Sequence, residues 1–197
     1  MKRVCVYAAS RSGARPEFLV AAQELGTALV ASGLDLVYGG SRNGLMGAVA
    51  DVVLAGGGRV TGVMPSGLFA KEVVHERLTE FLEVRDMHER KATMNRLADA
   101  FIALPGGVGT LEEVLEAVCW SQLGIHKKPV GLLSTQGYYA PLLQMLDHAL
   151  LSGFVTAEHR ALWLADEDPH TLLAMLRRDT EDGEPSQPKL FRVPTVL

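Results

Sequence analysis

Cysteine is scarce in this chain. Only Cys5 and Cys119 occur in 197 residues. Two thiols so far apart give no disulfide framework and no metal-ligand spacing. Both sit among apolar neighbours, so buried free thiols are expected. An excess of positive charge is missing too. The formal net charge is -4, which removes the basic field that non-specific nucleic-acid binding uses. Long apolar runs are absent, so no segment is expected to span a bilayer. Met1-Lys2-Arg3 leads into an apolar run too short for a secretory signal and broken by Ser10-Arg11-Ser12. The expectation is a cytosolic protein with no membrane and no nucleic-acid partner. No two histidines share a helical face at ligand spacing, and no metal or other cofactor is expected.

Glycine is what the chain has, and it is concentrated in two places. The central one is Asp99–Glu116, D-A-F-I-A-L-P-G-G-V-G-T-L-E-E-V-L-E. Ala100 to Leu104 is an apolar run of strand length. Pro105-Gly106-Gly107 breaks it. Leu111, Val114, Leu115 and Val118 then recur at helical spacing, with Glu112, Glu113 and Glu116 between them. Strand, tight glycine turn and helix start follow one another. Such a turn leaves free backbone N–H groups at the positive end of a helix dipole, where a phosphate binds well. Glycines let the anion approach without a Cβ in the way. Thr110 can cap the helix or offer its hydroxyl to the anion. Thr110 and Glu113 also have the T-x-x-E spacing of a capping box, so Glu113 is either a cap or a chemical group held one turn from the phosphate. Two relatives of the motif are weakened. A Walker loop needs G-K-[ST], and Gly109-Thr110-Leu111 has no lysine. The dinucleotide fingerprint needs a third glycine where Glu112 stands.

The second place is Tyr38-Gly39-Gly40-Ser41-Arg42-Asn43-Gly44-Leu45-Met46-Gly47, after the strand candidate Leu34 to Tyr38 and before a helix at Leu45 to Ala55. Ligands of open parallel sheets collect at the C-terminal ends of strands, so two such loops suggest one shared crevice. The other segments alternate in the same way. Strands are expected at Arg3 to Ala9, Arg59 to Met64, Leu78 to Val84, Pro129 to Leu133 and Ala161 to Ala165. Helices are expected at Pro16 to Ala31, from Asp86 onward, at Tyr138 to Leu151 and at Pro169 to Leu176. Asp86 reads as an N-cap with Glu89 three residues on, and Met87, Met94 and Leu97 as the buried stripe of that helix. Leu142, Met145, Leu146, Ala149 and Leu150 make the stripe of the Tyr138 helix. Alternation throughout implies a doubly wound parallel α/β sheet with helices on both faces. Residues 1–178 read as one domain and 179–197 as a flexible tail.

Arg90 and Lys91 lie near the start of a helix, where positive charge opposes the dipole. A local rule broken without evident gain points to a working site. Arg90 can offer a planar fork to phosphate or ribose, and Lys91 a point charge.

These segments resemble the LOG ("Lonely Guy") family of cytokinin riboside 5'-monophosphate phosphoribohydrolases. The likeness rests on Pro105-Gly106-Gly107-Val108-Gly109-Thr110-Leu111-Glu112-Glu113, which matches P-G-G-x-G-T-x-x-E, and on Asp86-Met87-His88-Glu89-Arg90-Lys91. Tyr38-Gly39-Gly40, Gly44-Leu45-Met46-Gly47, Gly62-Val63-Met64-Pro65 and Trp120 to His126 add to it, and the likeness reaches about Leu176. The resemblance implies a Rossmann-like fold, a homodimer or higher homo-oligomer, and hydrolysis of the N-glycosidic bond of AMP or an N6-substituted AMP. It implies that Arg90 and Glu113 form the catalytic pair and that Gly106, Gly107, Gly109 and Thr110 hold the phosphate. Val108, Leu111 and Glu112 belong to the same substrate-binding turn, and Glu72, Met87 and Lys91 line the nucleotide pocket. Departures from the pattern are Ala8-Ala9-Ser10-Arg11 where relatives tend to have C-G-S-S, Ser41 for a third glycine, and Cys119 for threonine. They bear on substrate preference rather than on the reaction.

Two other classes compete. Proteins of similar fold carry nucleotides or molybdenum cofactor without turnover, and storage does not require the Arg90 and Glu113 pair. The decarboxylase label attached to similar sequences needs pyridoxal phosphate on a lysine, and nothing marks Lys91 as a Schiff-base residue.

Overall fold

A computed structural model describes residues 1–68 and 73–182. Seven strands form one sheet in the order β4-β3-β2-β1-β5-β6-β7, and every pair is parallel. In chain order the strands are β1 Arg3–Tyr7, β2 Asp35–Tyr38, β3 Val60–Pro65, β4 Glu80–Val84, β5 Ala100–Ala103, β6 Val130–Leu133 and β7 Trp163–Asp166. The helices are α1 Pro16–Ala31, α2 Gly44–Ala55, α3 Met87–Leu97, α4 Val108–Gln122, α5 Ala140–Leu151, α6 Ala157–Ala161 and α7 Pro169–Asp182. The doubly wound parallel sheet is therefore present, with helices on both faces.

The strands are short apolar runs because both faces are covered. Successive side chains alternate between two cores. Val4, Val6, Leu36, Tyr38, Ala100 and Ile102 pack with α1, α2 and α7. Cys5, Tyr7, Val37, Phe101, Ala103 and Leu132 pack with α3, α4 and α5. The order reverses between β1 and β5. The helix after β1 lies on one face and the helix after β5 on the other, so their loops diverge and leave a crevice at the strands' C-terminal ends.

Several expectations change. Ala161 ends the short helix α6, capped by Thr156 through the amide of His159, and the last strand begins only at Trp163. The last helix runs to Asp182, past the expected start of the tail; residues 183–197 lie outside the described residues. Leu143 is the buried residue of α5, whereas Met145 is exposed. Cys5 is buried as expected, but Cys119 is exposed on the outer side of α4. Among the described residues no helix is long and apolar enough to cross a membrane.

Asp99 ties the first strand to the sheet. One of its carboxylate oxygens accepts the amides of Lys2 at 2.6 Å and Arg3 at 2.9 Å. Partial burial raises its pKa, but the two amide bonds outweigh that and hold the carboxyl below its usual value. The stabilisation is then complete above the unfolded-state pKa and fades as pH falls through the lower folded value. Asp99→Ala is expected to lose about 1–2 kcal/mol in urea unfolding at pH 7. The gap to wild type should narrow below about pH 4.

Candidate active site

The crevice at the β1/β5 reversal is a cavity of about 710 Å³. Its floor and rim come from the loop after β1, from α2, from α3, and from the glycine turn after β5. Ser10, Arg11, Met46, Met87, Arg90, Gly106, Gly107, Gly109, Thr110, Glu112 and Glu113 all line it. Both glycine loops of the sequence contribute residues to this cavity, and the second of them locks against the loop after β1. The amide of Met46 donates to the Ala9 carbonyl at 3.2 Å. Gly44 has φ +57°, and a Cβ there would stand 2.4 Å from the Arg11 amide nitrogen and the Ser10 carbonyl carbon. The backbone of one loop occupies the space that a side chain on the other would need.

Gly107 is the N-cap of α4, with extended backbone and no side-chain cap. Thr110 is thus the third residue of the helix and not its cap, and the T-x-x-E capping box does not form. Thr110 is buried, and its hydroxyl fills the place of a Gly106 Cβ, which would lie 2.2 Å from Oγ1. Gly106, Gly107, Gly109 and Thr110, around the start of α4, line the cavity, and the first amides of a helix have no intrahelical partner, as an anion seat requires.

Glu113 faces inward because α4 is rotated from its apolar stripe. The buried residues are Thr110, Val114, Ala117 and Val118, while Leu115, expected in the core, is 43% exposed. At about 100° per residue, that turn moves Glu113 from the helix flank toward the sheet. Its side chain is 11% exposed and its Oε1 lies 3.8 Å from Nη2 of Arg90. This is a charge contact, longer than a direct hydrogen bond.

Arg90 is buried on the inner side of α3. Asp86 caps that helix by accepting the Glu89 amide at 2.9 Å, while Glu89 reaches back to the Arg85 amide and guanidinium. Gly39 makes room for Arg90, since a Cβ there would be 2.0 Å from Nη2. Among the described residues, Nε of Arg90 is buried with no hydrogen-bond partner, and Nη1 meets the soft sulfur of Met87 at 3.7 Å. A buried guanidinium with spare donors at the edge of a cavity suits an acceptor-rich ligand. Below Glu113, burial first and then the Glu113 carboxylate push the Cys5 thiol well up. Tyr7 is pushed up by burial, then by Cys5 and Glu113. Both stay neutral at neutral pH.

Other expected residues are placed differently. Lys91 does not line the large cavity. It bridges Glu112 and Glu116 of α4, at 2.6 Å each. Burial lowers its pKa, but the two bonds overcome this and leave it above the ordinary lysine value. Met87, read from periodicity as part of a buried stripe, is 40% exposed and lines the cavity, the position the resemblance implied. Val108 points to solvent and Leu111 packs partly on the core. Glu72 lies outside the described residues. Phe18 and Tyr138, which sequence reasoning passed over, form an aromatic wall, edge to face at 5.7 Å between centroids. Each looked like an ordinary helix residue, and only the fold brings them together.

Fold and site together define an α/β protein with a crevice at the strands' C-terminal ends, lined by a glycine turn at a helix start and by a buried arginine–glutamate pair. The sequence profile of the family described as "Possible lysine decarboxylase" matches residues 46–176. The chain is 54% identical over 175 residues to a rice (Oryza sativa subsp. japonica) protein named probable cytokinin riboside 5'-monophosphate phosphoribohydrolase LOGL9, covering 89% of this chain and 77% of that one. It is 48% identical over 184 residues to LOG7 of Arabidopsis thaliana, a cytokinin riboside 5'-monophosphate phosphoribohydrolase, covering 93% and 83%. This chain belongs to the LOG family. The molybdenum cofactor carrier protein of Chlamydomonas reinhardtii shares the fold, with a TM-score of 0.66, 23% identity, and coverage of 90% of this chain and 96% of that one.

The interlocked loops give a testable contrast. Gly44→Ala meets both positive φ and backbone atoms, whereas Gly57→Ala meets only φ +80° with open space around it. Thermal melts should show a loss of about 3 kcal/mol or more for Gly44→Ala and about 1 kcal/mol for Gly57→Ala. Equal losses would mean that the loops are not locked.

Proposed function

We propose that this protein hydrolyses the N-glycosidic bond of adenosine 5'-monophosphate or its N6-substituted forms, releasing the free base and ribose 5-phosphate. The observation that carries the reading is the buried Arg90 with spare donors, 3.8 Å from Glu113, beside a glycine-turn helix start in one crevice. Relatives of about 50% identity over most of the chain carry this activity in their names.

The chemistry follows from the groups. The nucleotide's phosphate sits on the first amides of α4, at Gly106, Gly107, Gly109 and Thr110, where the dipole favours negative charge. That anchors the ribose within reach of the first turns of the helix. As the C1'–N bond breaks, its electron pair leaves with the base and positive charge grows on the sugar. The Glu113 carboxylate stabilises that charge and takes a proton from the water whose oxygen adds to C1'. The departing base takes up a proton. Arg90 donates to the ribose or phosphate and orients the carboxylate beside it. Lys91 serves elsewhere, as a strut between α3 and α4. An ammonium held charged by two carboxylates is a poor Schiff-base amine, which argues against pyridoxal chemistry.

Glu113→Gln is expected to lose adenine release from AMP by a factor of about 10² to 10³ while AMP still binds. Chromatography of free adenine and calorimetry of AMP measure the two. Binding without adenine release in the wild type would favour a carrier, and undiminished turnover in the variant would remove Glu113 from the mechanism.

A homodimer is part of the same reading. Val108 and Leu115 are exposed on α4, with Leu123 and Ile125 just beyond it, so the helix presents a second apolar stripe away from the core. A second copy of the chain, meeting that stripe through its own, covers it. Sedimentation equilibrium should give a dimer that Leu115→Glu dissociates; a wild-type monomer at micromolar concentration would refute it.

A further inference from the structure

Two consecutive tyrosines grip the glycine turn on either side of Pro105. Tyr139, fully buried, donates its hydroxyl to the Leu104 carbonyl at 2.6 Å. Tyr138 donates to the Gly106 carbonyl, and its ring, 39% exposed, lines the cavity. The two rings meet edge to face at 5.1 Å. They are presented by a turn in which Gln136 has φ 55°, the one non-glycine residue with positive φ among those described. Ser134 holds that turn: its carbonyl accepts the Gly137 amide at 2.8 Å and its hydroxyl oxygen the Tyr139 amide at 3.1 Å. Backbone strain maintained in this way accompanies sites where exact placement matters.

A run of glycines has no side chains to set its peptide planes. An anion seat built from its amides works only as far as those amides are oriented before the ligand arrives. A trans peptide is planar, so its carbonyl and the following N–H point in opposite directions. Pinning the Gly106 carbonyl on the Tyr138 phenol therefore aims the Gly107 amide to the other side. Thr110, packed where a Gly106 Cβ would be, closes the remaining freedom.

We propose that Tyr138 is a positioning residue of the phosphate seat, orienting the Gly106–Gly107 peptide for the anion, while Tyr139 only fastens the end of the strand. The inference rests on the reading of the α4 start as the phosphate seat. It is tested with Tyr138→Phe and Tyr139→Phe against wild type. Each is measured for AMP and adenosine binding by calorimetry, for KM and kcat with AMP, and for melting temperature. Tyr138→Phe should weaken AMP about tenfold, mainly in KM, leave adenosine unchanged and melt as the wild type does. Tyr139→Phe should melt lower and keep the wild-type ratio of AMP to adenosine affinity. An equal loss for AMP and adenosine in Tyr138→Phe would mean that the ring only walls the cavity, and would overturn the proposal. So would an unchanged ratio, with or without a lower melting temperature. A wild type that binds AMP no better than adenosine would bring down the phosphate seat itself, and this inference with it.

Discussion

The reversal of strand order between β1 and β5 is the constraint on which the rest of the molecule depends. A strand buried on both faces must send its following helix to one face or the other. Neighbouring strands whose helices depart to opposite faces cannot close the gap above their ends. Here α1 and α4 depart in this way. The gap is filled by loops rich in glycine, and Gly44 shows why no larger residue stands there: the first loop's backbone already occupies the space. The crevice is thus a consequence of topology, and the glycines allow its walls to interlock.

Charge burial in this crevice is tolerated because it is shared out among elements. Arg90 comes from α3, Glu113 from α4, and the space for the guanidinium from Gly39 at the end of β2. A buried ion pair of this kind is weak evidence for stability, since desolvation offsets much of the attraction. What it does here is hold opposite charges at fixed positions on the cavity wall. Lys91, next in sequence to Arg90, points the other way and binds Glu112 and Glu116. Two adjacent cations on one helix therefore have separate tasks, one toward the cavity and one toward the neighbouring helix.

The orientation of α4 connects packing with chemistry. Of the stripe read from periodicity, Val114 and Val118 are buried, Leu111 packs partly on the core and Leu115 is exposed. The helix is turned so that Thr110 and Glu113 look inward, leaving Val108 and Leu115 on the outside. Such a rotation trades apolar burial for the placement of a carboxylate, and a partner covering the outer stripe would recover that burial. Catalytic geometry and self-association would then be two results of one rotation.

Much of the fold was legible in the chain. Short apolar runs alternating with helical spacing determined the parallel sheet, and α1 was delimited at Pro16 and Ala31 as the structure has it. The glycine turn and Arg90 stood out because each bends a local rule, and Glu113 because it stands one helical turn past the glycines. What the tertiary structure alone decided was direction. Periodicity states which residues differ from their neighbours, but not which way a helix is turned when one side must carry function. Hence Leu115 was expected inside and lies outside, and Met87 moved from a buried stripe to the cavity wall. Tyr138 and Phe18 carry no local signal because their meeting depends on segments more than a hundred residues apart in sequence.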